Sequence, residues 1–281
     1  MQTTLLDGKA LSAKILLELS QTISENNLKP RLLIIQVGDH AASAQYVALK
    51  KKRGVEIGVE VIVEHVAGSK FATLKEKVSS IVAKDRTAVD GIMVQLPLPE
   101  PQHTADVLSI IPPELDVDGL LGKASNFNSA AADAVIALLS TLPDYSTKPF
   151  TILIIGDSPY VGGSIYQALL KTNTIHTNNI ACINEFTADK EDYFQKYTVV
   201  ISCVGKPHIY SAKALRKGAI LIDVGTSPTI QGQIVGDFDT AEANGYLTAY
   251  TPVPGGVGPV TVAMLLKHVV ENSLRNREKD C

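Results

Sequence analysis

An α/β chain of two domains, each built on a parallel sheet, is the fold class that this sequence predicts, and three observations predict it. Helical and extended periodicities alternate along the chain. The extended segments are short, nearly continuous apolar runs, as strands covered by helices on both faces are. The length, 281 residues, exceeds the ~100 to 200 typical of one domain, which leaves room for two cores.

Each element follows from local pattern. After the turn Asp7-Gly8, Leu11, Ile15, Leu16, Leu19 and Ile23 recur at helical spacing, and the apolar run Leu32 to Val37 then reads as a buried strand. The alternation continues with a helix from about Ala42 to Ile57, a strand near Val59 to His65, a helix near Phe71 to Ala83, and a strand Gly91 to Leu96. Ala130, Ala134, Ala137, Leu138 and Thr141 fall at helical intervals within Asn126 to Leu142, a segment that links the halves. A second series follows: strand Thr151 to Ile155, a helix from Gly162, and strands Ile180 to Ile183, Val199 to Val204 and Ala219 to Val224. Parallel, doubly wound sheets are expected in both halves.

Composition narrows the function. Hydrophobic residues make up 45% and charged residues 20%, ordinary globular usage that argues against disorder and against a coiled coil. A net charge of -3 supplies no field for gathering phosphate backbones, so no nucleic-acid partner is expected. The basic run Lys50 to Arg53 is short and by itself reads as a solvated helix face. Cys182, Cys203 and Cys281 lack metal-site spacing, so neither a disulfide framework nor a metal is expected; the first two lie in apolar runs and read as buried. No leader pattern and no apolar run of ~20 residues is present, so a cytoplasmic protein with no membrane contact is expected.

Several segments carry chemistry. Gly156-Asp157-Ser158-Pro159-Tyr160-Val161-Gly162-Gly163 lies between an apolar strand and an amphipathic helix, where backbone N–H groups and the positive helix end can hold a pyrophosphate. Glycine-rich turns also occur without ligands, and the spacing is not GxGxxG. Val204-Gly205-Lys206-Pro207 and Gly225-Thr226 follow later strands and belong at the same carboxyl edge of the sheet, where open α/β sheets bind ligands.

In the first half, Tyr46 and Lys50 are four residues apart and share one helix face. Gln95 ends a strand just before Leu96-Pro97-Leu98-Pro99, where proline cannot continue a ladder. Asp116-Val117-Asp118-Gly119 sets acids beside a turn glycine and also fits plain turn formation. Thr251-Pro252-Val253-Pro254-Gly255-Gly256-Val257-Gly258-Pro259 is rigid and glycine-dense, which permits close approach of backbone to a flat ligand.

Six segments together resemble the bifunctional methylenetetrahydrofolate dehydrogenase/methenyltetrahydrofolate cyclohydrolase family: Ser43 to Lys50, Asp90 to Pro99, Asp116 to Gly119, Val204 to Pro207, Ile222 to Gly225 and Thr251 to Pro259. They span nearly the whole chain in family order. The resemblance implies an amino-terminal α/β folate domain, residues 1–122 completed by 262–281, and a Rossmann-like doubly wound domain, residues 123–261. It implies a homodimer with folate in the cleft between domains, and NAD or NADP as cofactor with tetrahydrofolate as the substrate scaffold. On the matching positions, Lys50 is the catalytic lysine, Tyr46 stacks on the folate, Gln95 tunes Lys50, and Asp118 grips the pterin. Val253, Pro254, Gly255, Gly256 and Pro259 line the substrate pocket. The cofactor falls to Gly156, Asp157, Ser158, Val161, Gly162, Gly163, Glu185, Val204, Gly205 and Thr226.

The sequence departs from the family pattern at several places. A Pro-Cys-Thr-Pro segment is replaced by a shorter stretch reading Asn128 to Asp133, Gly163 stands where Arg or Lys is common, and Thr226 and Val260 replace an apolar residue and a methionine. Asn184-Glu185-Phe186-Thr187 occupies the place where an Arg meets the 2′-phosphate of NADP. An acid about 20 residues past the glycine turn instead accepts hydrogen bonds from ribose hydroxyls, so the sequence leans to NAD. Three readings stay open: a bifunctional enzyme, a cyclohydrolase with weak or absent dehydrogenase, and a silent folate- or nucleotide-binding protein.

Overall fold

The computed structural model describes residues 2–68, 71–143, 150–172, 179–184 and 186–280. In chain order come β1 (Thr4–Leu5), α1 (Gly8–Glu25), β2 (Arg31–Val37), α2 (Ala41–Ile57), β3 (Glu60–Val66), α3 (Phe71–Asp85), β4 (Gly91–Gln95) and α4 (Thr104–Leu108). Next are α5 (Ala130–Ser140), β5 (Ile152–Ile155), α6 (Gly162–Leu170), β6 (Ile180–Ile183), α7 (Lys190–Lys196), β7 (Val199–Ser202), β8 (Tyr210–Ser211) and β9 (Ile220–Asp223). The chain ends with β10 (Ser227–Pro228), β11 (Ile234–Val235), β12 (Phe238–Asp239), β13 (Ala249–Tyr250) and α8 (Val257–Asp280). No helix among the described residues is long and apolar enough to cross a membrane.

Two compact units result. One holds Ala13–Ala130 and the chain from Val262 onward; the other holds residues up to Ser12 with Ala131–Thr261. The first contains a three-stranded parallel sheet in the order β3-β2-β4. Its middle strand is buried on both faces, Leu32, Leu33, Ile34 and Ile35 having no exposed surface, which is why its sequence is a continuous apolar run. The register Gln36↔Gln95 ends the β2–β4 ladder, so the polar residue leaves the sheet at its carboxyl edge.

The second unit carries a six-stranded sheet, β1-β13-β9-β7-β5-β6, all parallel. Leu153, Ile155, Val200 and Leu221 pack with Phe194, Phe238 and Leu247 into one core on one face. β5 has β6 on one side and β7 on the other, the strand-order reversal at which doubly wound sheets form a ligand crevice.

Three sequence expectations are corrected. Residues 2–12, expected with the first domain, join the six-stranded unit, because Thr4 and Leu5 pair with Ala249 and Tyr250 as its edge strand; a two-residue strand has no periodicity to read. Residues 123–130, expected in the second domain, fall with the first unit, and the linking helix starts at Ala130 rather than Asn126. Cys182 is exposed rather than buried, since β6 is the outermost strand.

Candidate active site

In the three-stranded unit the site starts on α2. Ser43, Val47, Lys50, Gly54 and Ile57 are its buried stripe, spaced as one helix face requires, so Lys50 occupies a position that an apolar residue would normally fill. Lys51, Lys52 and Arg53 are exposed and form the solvated face. Only 8% of Lys50 is exposed, and its Nζ donates a hydrogen bond of 2.8 Å to Oε1 of Gln95, which is equally buried at the end of β4. The Gln95 amide is itself oriented, with Nε2 donating to Leu96 O at 2.6 Å. Tyr46, one turn before Lys50, is half-buried on the same side.

Burial pulls the Lys50 amine below its ordinary value, and the Asp118 charge opposes that shift. Asp118 is displaced the other way: burial raises its carboxyl, Lys50 lowers it, Asp116 raises it and His268 lowers it. Desolvation therefore weakens the charge on both groups.

Asp116 and Asp118 divide the work of their motif. Asp116 pairs with Ile92 of β4 in a parallel bridge, which brings the segment alongside that strand. The Asp116 carboxylate accepts from the backbone N–H groups of Gly119, at 3.0 Å, and Leu121, at 2.8 Å, and so closes the turn. Gly119 has φ of 69°, and a Cβ there would sit 2.1 Å from Asn128 O, which only glycine satisfies. Asp118 makes no side-chain hydrogen bond among the described residues, so its carboxylate is available to a ligand.

Sequence reasoning missed three contributors to this unit. His268 of α8 is buried and stacks on Phe127 at 4.4 Å, while its Nδ1 lies 2.8 Å from Val117 O, next to Asp118. Asn272 donates to Glu114 O at 2.7 Å and Asp90 O at 3.0 Å, tying α8 to β4 and to the approach to the acid turn. The Ser43 hydroxyl is buried with no hydrogen-bond partner among the described residues, on the stripe that carries Lys50.

The six-stranded unit holds the other expected residues. Gly156 follows β5 with φ of 106°, and its N–H donates to Ile183 O at 2.8 Å. A Cβ on Gly162 would lie 1.8 Å from Gly156 O, so the turn closes onto the first residue of α6. Ser158 O accepts from Val161 and Gly163 N–H groups, and Asp157 accepts from Asn184 Nδ2 at 3.1 Å. Val204 and Gly205 follow β7, tied to the β5 end by Cys203 N donating to Ile155 O at 2.7 Å. Thr226 is exposed beyond β9. This set fits a dinucleotide: a turn with glycine at both ends, a helix amino terminus, and two adjoining loops at the carboxyl edge of the sheet. Glu185 lies outside the described residues.

Val253 to Pro259 all belong to this second unit rather than to the unit of Lys50. Thr251 is fully buried and accepts from Asp223 N–H at 2.8 Å, Gly255 and Gly256 are buried, Val253 and Pro259 are half-buried, and Pro254 is exposed. Lys9 N donates to Gly255 O at 3.1 Å, which holds the segment against the start of α1.

Known proteins resemble both units. The tetrahydrofolate dehydrogenase/cyclohydrolase catalytic domain matches residues 6–118, and the NAD(P)-binding domain of the same family matches residues 129–277. The bifunctional protein FolD of Wolinella succinogenes is 34% identical over 285 residues, covering 98% of each chain. The crystal structure of the bifunctional enzyme FolD, a methylenetetrahydrofolate dehydrogenase/cyclohydrolase, from Campylobacter jejuni superposes with a TM-score of 0.87 at 33% identity, over 98% of this chain and 99% of that one. The Trypanosoma brucei enzyme, solved with NADP cofactor and an inhibitor, superposes with a TM-score of 0.86 at 28% identity, over 99% of both.

Proposed function

The chain belongs to the tetrahydrofolate dehydrogenase/cyclohydrolase family, and from that premise we propose that Lys50, Gln95, Tyr46 and Asp118 carry its folate chemistry. The protein is a bifunctional enzyme of one-carbon folate metabolism: it oxidises 5,10-methylenetetrahydrofolate to the 5,10-methenyl compound and hydrolyses that to 10-formyltetrahydrofolate. The observation that carries the residue assignment is the buried Lys50 amine held at 2.8 Å by Gln95, with its affinity for protons reduced by burial.

NAD(P), when bound, accepts the hydride that leaves the methylene bridge. Water then adds to the methenyl carbon and must lose a proton before the ring opens to the formyl product. Lys50 takes that proton, because an amine held below its ordinary pKa has an accessible neutral form. The Gln95 carbonyl fixes the amine in place without adding a charge that would hold its proton on. Tyr46 presents its ring beside the amine as a stacking surface. The Asp118 carboxylate accepts two parallel hydrogen bonds from the pterin N–H groups and fixes its orientation, while Val253, Pro254, Gly255, Gly256 and Pro259 contact the substrate through small or rigid residues.

On the dinucleotide side, Gly156, Asp157, Ser158, Val161, Gly162 and Gly163 form the pyrophosphate turn, and Val204, Gly205 and Thr226 meet the remainder. Glu185, 185 − 162 = 23 residues beyond Gly162, is near the ~20 expected of an acid that reads the ribose hydroxyls. A carboxylate there repels a 2′-phosphate, so NAD is the preferred cofactor. A homodimer in the cytoplasm belongs to the same reading; light scattering that finds one 30.0 kDa species removes the dimer. The proton and hydride transfers need no metal, and activity lost on chelation would contradict that.

The test is spectrophotometric. Purified protein should consume methenyl-tetrahydrofolate without added cofactor, and should convert methylene-tetrahydrofolate faster with NAD than with NADP. Methenyl hydrolysis at the uncatalysed rate would overturn the reading.

A further inference from the structure

Behind the loop that follows β7 lies a buried acid that the folate chemistry does not use. Asp237 has no exposed surface. Its Oδ2 accepts from Ser202 Oγ at 2.7 Å and Val204 N–H at 2.7 Å, and its Oδ1 accepts from Gly205 N–H at 2.8 Å and Lys206 N–H at 2.9 Å. Three consecutive amides of an otherwise exposed loop thus turn inward onto one carboxylate. Such a concavity of N–H groups would ordinarily bind an anion from outside; here the protein's own carboxylate occupies it.

We propose that Asp237 is a positioning residue of the dehydrogenase half, its buried carboxylate shaping the loop Val204 to Lys206 so that the loop's outer face meets the dinucleotide. The proposal rests on the assignment of Val204 and Gly205 to the cofactor site. In a trans peptide the carbonyl points opposite to the N–H, so with the amides of 204, 205 and 206 turned inward, the carbonyls of Cys203, Val204 and Gly205 turn away from Asp237. A Cβ built on Gly156 lies 2.6 Å from Cys203 O, which places that carbonyl against the glycine turn. Gly205 has φ of 75° and no atom within 4 Å of where its Cβ would be, so its outer side is open. The loop therefore offers hydrogen-bond acceptors to hydroxyl or carboxamide donors of the cofactor. Its amides are already occupied, which leaves the pyrophosphate to the turn from Gly156 to Gly163.

The surroundings hold Asp237 in place. Asp223, also buried, accepts from Gly225 N–H at 3.0 Å and Phe238 N–H at 2.9 Å, fixing the backbone on the far side of Asp237. A Cβ on Gly225 would fall 2.1 Å from Asp237 Oδ1, and one on Gly236 would fall 2.2 Å from Asp223 Oδ2, so both acids are packed directly against backbone.

Asp237→Asn tests this, because an amide keeps one acceptor oxygen and turns an NH₂ toward two of the four donors, whichever way it is flipped. The Michaelis constant for NAD or NADP should rise roughly 10- to 100-fold, the loss expected for charge-assisted hydrogen bonds. Methenyl hydrolysis and the folate KM, which need no dinucleotide, should stay at wild-type values. Ser202→Ala removes only one of the four donors and should raise the dinucleotide KM by a few-fold; it decides the matter if Asp237→Asn does not fold. Gly205→Asp, which sets a carboxylate on the outer face, separates the proposal from the reading beneath it. An unchanged dinucleotide KM in Gly205→Asp removes the loop from the cofactor site. A raised KM there with unchanged values in Asp237→Asn, or in Ser202→Ala where the former does not fold, overturns the positioning role alone. An equal loss of both activities in Asp237→Asn overturns it too, as the mark of general structural damage.

Discussion

Lys50 Nζ lies 2.8 Å from Gln95 Oε1, and each residue has only 8% of its surface exposed. A buried amine paired with a neutral acceptor, rather than a carboxylate, loses water without gaining a full counter-charge, and its pKa falls. The Asp118 charge limits that fall, so burial and Asp118 act on the amine in opposite senses.

Gln95→Glu should reverse the effect. A carboxylate at hydrogen-bonding distance favours the ammonium form and raises the Lys50 pKa, so the neutral amine needed for water addition becomes scarcer. The acid limb of the methenyl hydrolysis profile should move to higher pH, while Gln95→Leu, which removes the acceptor and keeps the burial, should move it lower. Profiles of both variants that overlay the wild type would contradict this role for Gln95.

Asp118→Ala should weaken folate binding more than it slows the bound-state reaction. Charge-assisted hydrogen bonds are worth roughly 1.5 to 3 kcal/mol, and the loss should appear as a higher folate KM. Turn closure belongs to Asp116, so thermal stability should change little. A lower Tm with an unchanged KM would assign Asp118 to the turn instead.

Asp223 gives a pH signature in the second unit. Burial, and then the Asp237 charge, push its carboxyl from 3.8 up to about 7. Across that interval the folded chain keeps a proton that the unfolded chain has released. The stability from this site is fully present below the unfolded value and lost as pH rises through about 7. The Asp223 carboxyl carbon, followed by ¹³C NMR, should titrate with a midpoint near 7; a midpoint near the ordinary carboxylate value would refute the claim.

In the proposed reading, cofactor choice turns on Glu185. Replacing it with Arg should shift the preference from NAD toward NADP, because a cation there attracts the 2′-phosphate that a carboxylate repels. Steady-state kinetics with both dinucleotides reads the shift. Tight NADP binding by calorimetry, unchanged in Glu185→Arg, would defeat the assignment.

Much of this was legible in the sequence, for physical reasons that can be named. Strands β2, β5, β7 and β9 announce themselves because a strand buried on both faces reads as a nearly continuous apolar run, with Gln36, Ser202 and Asp223 only near the ends. The edge strand β1 does not, since two exposed residues, Thr4 and Leu5, carry no periodicity; β6 lies at the other edge but keeps the apolar run Ile180 to Ile183 that marks it. Read by itself, the run Lys50 to Arg53 looks solvated throughout, and it is burial that sets Lys50 apart, on the stripe of Ser43, Val47, Gly54 and Ile57. Asp237 and His268 could not be found from the sequence either. Each acts through backbone groups brought to it by distant chain segments, the loop after β7 for one and Val117 for the other, and no local pattern encodes such a meeting.

If Lys50 moves the proton, as proposed, methenyl-tetrahydrofolate hydrolysis by Lys50→Met must report it. Methionine keeps the length and packing of the stem and removes only the amine. Proton transfer by a positioned group contributes ~100- to 10,000-fold, so turnover should fall by that range while folate binding, measured by calorimetry, persists. A Lys50→Met enzyme that hydrolyses the methenyl compound at near wild-type rate would contradict the claim and return Lys50 to a structural role in α2.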